Sequence, residues 1–324
     1  MRDMKSKDEI QERITEMLTD TELVKKLHDI DNRVCAYVMD VGFEPERHNR
    51  YEMLGVLKFL RYMETYYFDY DTVHLIYRAL EGIWEDGKHL GGGFKISGNR
   101  GEMVYQLLPL QCFTYAAIHG FCYYVDLGAW DGRTQLLPTE CLHPETGHVL
   151  DLRRVVSDMV CFWPRKTDKT GIAANECILD FMFGENESSA LLASNTSQQA
   201  QICFKKIRDR LVQLDPKHKK FRFTVDEINW KEAQAKKGNI LALTAGAKTK
   251  DGLFGSVCVA DEYGSAVWVK NRSDMADLLQ VCQSSMGPRR NPLTVITTTA
   301  GNTIGGPFEI YLRGVKGYLE DEVA

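Results

Sequence analysis

The run Cys161-Phe162-Trp163-Pro164-Arg165-Lys166-Thr167-Asp168-Lys169-Thr170-Gly171 carries the residue types that bind phosphate. It closes an apolar run, Met159 to Trp163, and opens a helix expected over Thr170 to Phe183. Strand, tight loop and helix N-terminus is the layout of a phosphate-binding loop. The first N–H groups of a helix lack partners within it, and the positive end of its dipole attracts anions. A lysine in such a loop reaches the β- and γ-phosphates, and the next hydroxyl ligates Mg²⁺. Lys169 and Thr170 stand in those two places. The loop departs from the common G-x-x-x-x-G-K-[ST] form: Pro164 replaces the first glycine and Asp168 the second.

Three further segments have types suited to the same chemistry. Ser256 to Ala260 reads as a buried strand, and it ends in Asp261-Glu262, with Asp261 lying 92 positions after Lys169. Ligands of open α/β sheets sit at the carboxyl ends of the strands. There Asp261 is suited to hold Mg²⁺ and Glu262 to polarise an attacking water as general base. Pro292 to Asn302 is a β-branched strand ending in Thr297-Thr298-Thr299-Ala300-Gly301, small polar groups able to sense a γ-phosphate. Upstream, Leu107 to Phe121 reads as a helix stopped by Gly120, with Gln111 offering an amide to an adenine edge.

In this order and spacing, the motifs resemble the ATPase domain of tailed-phage large terminase subunits. The resemblance covers roughly Phe94 to Glu320 and rests on Pro109-Leu110-Gln111, Gly120-Phe121, Arg165 to Thr170, Ala193 to Ala200, Asp261-Glu262 and Thr298 to Gly301. It implies an α/β P-loop NTPase, with a largely parallel central sheet flanked by helices and an α-helical region before it. It further implies ATP and Mg²⁺ as cofactors, and coupling of hydrolysis to movement of double-stranded DNA into a procapsid. Portal protein, small terminase subunit and a homo-oligomeric ring are the partners it implies, in the cytoplasm of an infected bacterium. On this likeness ATP is bound by Gln111, Arg165, Lys166, Thr167, Asp168, Lys169, Thr170 and Gly171. Thr170 and Asp261 hold the metal, while Glu262, Arg165 and Lys169 act in catalysis. Thr298, Thr299, Ala300 and Gly301 couple phosphate loss to motion.

Asp168 is the main departure, because the family usually keeps glycine there. A Cβ disfavours positive φ, and a carboxylate beside a triphosphate is repelled, although Asp tolerates left-handed backbone better than most residues. Replacing Asp168 by glycine is therefore expected to tighten ATP binding, unless the carboxylate is paired with a neighbouring cation. Two alternatives stay open: another P-loop ATPase such as a helicase, and a docking module whose hydrolysis Asp168 impairs.

The 324 residues are 44% hydrophobic, which supplies a real core. The charged N-terminus lacks the apolar stretch of a signal peptide, and no apolar run is long enough for a membrane span, so a soluble intracellular protein is expected. Nine scattered cysteines with no Cys-x-x-Cys pair read as reduced core thiols. The net charge of −5 advertises no global affinity for nucleic acid. A local basic run between Lys205 and Arg222 is a candidate contact to DNA phosphates through Lys205, Lys206, Lys217, Lys219 and Lys220.

The elements that must position these groups follow from periodicity. Residues 1–90 read as a helical region and 91–324 as the ATPase domain, with Gly91-Gly92-Gly93 as a loop near the boundary. Asp8–Leu27, Tyr51–Tyr66 and Tyr70–Trp84 are amphipathic segments. Strands are expected at Phe121–Leu127, Asp158–Trp163, Ala190–Ser194, Asn239–Thr244, Val257–Ala260 and Thr294–Thr298. Helices are expected at Thr170–Phe183, Ser197–Leu214, Arg272–Ser284 and Pro307–Asp321, with a hairpin inserted over Arg133–Leu152. Only about 60 residues follow Glu262, too few for the nuclease domain of a full large terminase, so nuclease activity is not expected.

Overall fold

The structure, a computed structural model, describes residues 6–85, 88–98, 101–132, 136–137, 139–232, 234–245, 252–270, 272–299 and 304–323. The chain folds into two units, one of residues 1–81, 106–156 and 316–324, the other of residues 82–105 and 157–315.

The first unit is built from helices and one small sheet. Its helices include Lys7–Met17, Thr21–Ile30, Asn32–Phe43, Arg50–Thr65, Tyr70–Glu81 and Pro109–His119. Ser6, Asp20, Asp31 and Asn49 cap the first four, each accepting a backbone N–H of the first turn. The apolar pattern over Asp8–Leu27 therefore spans two helices, because Asp20 starts a new one where the spacing alone reads as continuous. The sheet is antiparallel and joins Tyr67–Phe68, Phe121–Ala129, Glu140–Leu142 and His148–Arg154. The strand expected at Phe121–Leu127 forms, but in this sheet and not in the parallel one. Its partners are Tyr67–Phe68 and the hairpin strand His148–Arg154.

The second unit holds a seven-stranded sheet. In chain order its main elements are β1 (Asp158–Phe162), α1 (Lys169–Phe183), β2 (Ser188–Ser194), α2 (Ser197–Leu214), β3 (Phe221–Phe223), β4 (Glu227–Trp230), β5 (Gly238–Thr244), β6 (Val257–Asp261), α3 (Asp274–Ser285), β7 (Leu293–Thr298) and the first part, up to residue 315, of α4 (Pro307–Val323). The strand order is β3-β4-β5-β2-β6-β7-β1. The five strands from β5 to β1 are parallel, and β3 and β4 add an antiparallel edge. Sequence periodicity predicts neither β3 nor β4, because both are short and lie in or beside the basic run.

The central strands β6 and β7 are buried at every residue, as parallel strands covered on both faces must be. Side chains alternate between the faces. Leu191, Ala193, Cys258, Ala260 and Ile296 meet Met275, Leu278 and Cys282 of α3 and Phe308 of α4. The alternate residues, Asp261 and Thr297 among them, point to the other face. α1 packs along β2, β6 and β7, and α2 packs on α1, β2 and β5. Because β1, β7, β6 and β2 run parallel, their carboxyl ends share one edge. The loop after Phe162, the threonines after Ile296, Asp261-Glu262 and Ser194-Asn195 all lie along it.

Candidate functional site

Two residues of the loop between β1 and α1 take left-handed backbone, Lys166 at φ 71° and Asp168 at φ 56°. Asp168 is the N-cap of α1, and its carbonyl accepts the N–H groups of Gly171 (2.8 Å) and Ile172 (3.1 Å) to start the helix. Lys169 is only 5% exposed, and its Nζ donates to the Pro164 carbonyl at 2.7 Å. The Thr167 hydroxyl donates to the same carbonyl at 2.9 Å, so both side chains fold across the loop. Arg165 and Lys166 are exposed on it. Thr170 is half-buried, and its carbonyl accepts the Cys203 thiol of α2 at 3.7 Å.

The Asp168 carboxylate is not loose in the loop. Oδ1 pairs with Lys206 Nζ of α2 at 2.7 Å, and Oδ2 accepts the Tyr105 hydroxyl at 3.3 Å. Burial and the nearby Asp168 charge push the Tyr105 phenol up, which keeps it a donor. The carboxylate also lies against Gly171, where a Cβ would sit 1.9 Å from Asp168 Oδ2. Gly171 is thus required by close approach, whatever its backbone angles. Behind this pair, buried Arg210 donates to the Gly171 carbonyl at 3.1 Å and to Asn175 Oδ1. Its guanidinium lies 4.7 Å from the Tyr105 ring centroid and 5.6 Å from that of Phe94.

Asp261 ends β6 and is in register with Ser194 of β2 on one side and Thr297 of β7 on the other. The Thr297 hydroxyl donates to Asp261 Oδ1 at 2.6 Å. Burial pushes the Asp261 carboxyl up from its ordinary value. The Thr297 hydrogen bond opposes this, and the neighbouring Glu262 charge adds to it. Lys206 appears here as well, its positive charge easing the ionisation of Asp261. The Ser194 hydroxyl in the same row is buried without a partner among the described residues.

Glu262 takes left-handed backbone (φ 56°) and is half-buried, with the Thr299 hydroxyl donating to its Oε2 at 3.4 Å. The next turn, Tyr263–Ser265, is tied to two strand ends. Gly264 N–H donates to Thr298 Oγ1 at 2.8 Å, and Asn195 Nδ2 donates to the Ser265 carbonyl at 3.1 Å. Thr298 and Thr299 therefore adjoin the acidic pair. Ala300 and Gly301, expected to share their role, lie outside the described residues.

Gln111 belongs to the helical unit, is 2% exposed, and its Oε1 accepts the Leu108 N–H at 2.8 Å, closing the start of its own helix. Lys205 is exposed and pairs with Asp209 at 2.6 Å. Lys206 is turned to the loop and away from the exposed basic run. Lys217, Lys219 and Lys220 are exposed on the turn after α2. The buried Asp215 carboxylate organises that turn by accepting the N–H groups of Lys219, Lys220 and Phe221 at 2.8, 2.7 and 2.9 Å. Sequence reading missed Tyr105, Arg210 and the Thr297 contact to Asp261. The first two carry no motif signal, whereas the third lies within the threonine run.

The fold is that of a P-loop NTPase: a phosphate-loop layout, a parallel sheet and an acidic strand end on one edge. The chain belongs to the family of terminase large subunit ATPase domains, whose pattern matches residues 151–316, just over half of its length. Among solved structures it is similar to the large terminase of bacteriophage HK97, at 20% identity and a TM-score of 0.42, covering 50% of this chain and 33% of that one. It is also similar to the large terminase ATPase domain of Thermus phage P74-26, at 12% identity and a TM-score of 0.36, covering 46% and 61%. The N-terminal domain of the bacteriophage phi29 DNA packaging ATPase matches at 13% identity and a TM-score of 0.33, covering 49% and 79%. The chain thus spans a third of the HK97 protein's length and about three-fifths of the P74-26 domain's. No curated protein sequence matches it. Among the described residues, no helix is long and apolar enough to cross a membrane.

Proposed function

We propose that this chain binds and hydrolyses ATP as the motor domain of a phage DNA-packaging machine, moving double-stranded DNA into a procapsid. The observation that carries the reading is the shared edge. Lys169 in its loop and the Asp261-Glu262 pair stand at the carboxyl ends of parallel strands β1 and β6, two places apart in the sheet. Family membership supports the same conclusion.

In this reading Lys169 exchanges the Pro164 carbonyl for the β- and γ-phosphates, and the N–H groups at the start of α1 take the remaining phosphate oxygens. Arg165 and Lys166 add positive charge where the γ-phosphate leaves. The Thr170 hydroxyl and Asp261 carboxylate are hard oxygen donors, and Thr297 holds the buried carboxylate in place. That chemistry fits Mg²⁺, which would supply charge neutralisation to the phosphates when held by these two residues. Glu262 accepts a proton from the attacking water. Thr298 and Thr299, tied to Gly264 and Glu262, pass loss of the γ-phosphate into the strand end. The same reading takes portal protein, small terminase subunit and further copies of the chain as partners, and residues 91–324 as the ATPase domain.

The test is ATP turnover with and without linear duplex DNA and small terminase. DNA-stimulated turnover that disappears in Lys169→Ala is the expected result. ATP binding without turnover would instead support a docking role, and undiminished binding in Lys169→Ala would remove the loop assignment.

A further inference from the structure

The face of α2 formed by Cys203, Lys206 and Arg210 is fastened along the start of α1. These positions have the i, i+3, i+7 spacing of a single helix face. Cys203 meets the Thr170 carbonyl, Lys206 the Asp168 carboxylate and Arg210 the Gly171 carbonyl. Only the middle contact joins two opposite charges, and it falls on the residue whose carboxylate is least compatible with a phosphate loop. Tyr105 donates to the other carboxylate oxygen, and Gly171 leaves the space in which the carboxylate lies.

We infer that Lys206 is a positioning residue for nucleotide binding, acting with Asp168 as one unit: its ammonium neutralises Asp168 and holds that carboxylate back over Gly171, so that the loop can accept a triphosphate. The inference rests on the nucleotide reading above and reassigns Lys206 from the basic run to the loop. The geometry supports it independently of the sequence motif: Lys206 Nζ is 2.7 Å from Asp168 Oδ1, while the Tyr105 hydroxyl holds Oδ2 from the other side. Without Lys206, an unpaired carboxylate would stand one residue before the phosphate-binding lysine. Across several ångströms at an effective dielectric of ~20, such repulsion corresponds to a loss of about ten- to a hundredfold in ATP affinity.

The experiment is calorimetric titration of Mg²⁺-ATP into four proteins: the parent, Lys206→Met, Asp168→Gly, and the two combined. Lys206→Met is expected to lose about tenfold or more in the parent background and less than about threefold when Asp168 is glycine. Lys206→Arg, which keeps the charge, is expected to stay within about threefold of the parent, which a merely packing role would not require. Lys206→Gln serves if Lys206→Met does not fold, with the same expected loss. An equal loss in both backgrounds overturns the pairing, as does an unchanged affinity in Lys206→Met or Lys206→Gln while the parent binds ATP. A parent that binds no ATP overturns the nucleotide reading and this inference with it.

Discussion

Replacing Thr297 by valine tests whether the acidic strand end is built as a unit. Thr297 is fully buried, and its hydroxyl donates to Asp261 Oδ1 at 2.6 Å; Asp261 itself is 3% exposed. Valine keeps the branched Cβ that suits a central strand and removes only the donor. A hydrogen bond to a charged group contributes about 1.5–3 kcal/mol net, and the carboxylate left behind keeps its desolvation penalty. A loss of about 2 kcal/mol is therefore expected. For a domain of this size that lowers the unfolding midpoint by about 4–8 °C. Burial and Glu262 already disfavour the charged form of Asp261, so losing the donor acts in the same direction. Thr294→Val on the same strand is the control. Its oxygen accepts from the neutral Gln283 amide at 3.3 Å, and a neutral bond is worth about 1 kcal/mol. Thermal and urea unfolding of both variants decides the matter. A Thr297→Val protein within about 0.5 kcal/mol of the parent, or no weaker than Thr294→Val, would refute the reasoning.

On the proposed reading, Lys169→Ala removes charge-assisted contacts to two phosphates, each worth about 1.5–3 kcal/mol, and is expected to weaken ATP binding by about a hundredfold or more in calorimetry. Glu262→Gln is expected to keep ATP affinity within a few-fold and to lose turnover, because the amide cannot take a proton; Asp261→Asn is expected to weaken Mg²⁺-dependent binding instead. Turnover and binding assays on the two variants separate these roles. Asp215→Ala leaves three backbone N–H groups without their acceptor and is expected to cost about 2 kcal/mol at neutral pH. Burial alone would raise the Asp215 carboxyl, but the N–H groups of Phe221, Lys219 and Lys220 outweigh it and hold the group below its ordinary value. The stability it contributes is present above the unfolded carboxylate range and disappears as pH falls through the depressed folded value. The gap between parent and Asp215→Ala in urea unfolding should therefore narrow below about pH 4, and a gap that widens on acidification would contradict this.

The parallel core was legible because burial on both faces writes continuous apolar runs. Val257–Asp261 and Leu293–Thr298 lie within a residue or so of where periodicity puts them, and α2 runs over the expected Ser197–Leu214, its start capped by Thr196, whose side chain accepts the Gln199 N–H. What stayed hidden depends on partners distant in sequence. Phe121–Ala129 has strand composition, but nothing local says that it pairs with His148–Arg154 in a separate sheet. The short strands Phe221–Phe223 and Glu227–Trp230 are recognised by their pairing and not by their pattern. At the candidate site, the loop and the acidic strand end carry a sequence pattern and the residues that contact them do not. Tyr105 lies 63 positions from Asp168, and Lys206 is disguised by the basic residues around it.

Asp168 shows why a motif letter is an incomplete account of a loop. Read alone, the aspartate brings two penalties, a Cβ at positive φ and a negative charge beside phosphate. In the structure the first is met by a residue type that tolerates the left-handed region, here at φ 56°. The second is met by Lys206, delivered from the helix that follows the next strand. The accommodation then extends to Gly171, because the displaced carboxylate occupies the space a Cβ would need. A glycine at 168 alone would remove the charge that Lys206 answers, so its effect on affinity reports on the pair and not on the loop backbone alone. Asp168, Gly171 and Lys206 are therefore best treated as one compound substitution for the usual glycine. Changing any one of them in isolation unbalances the other two.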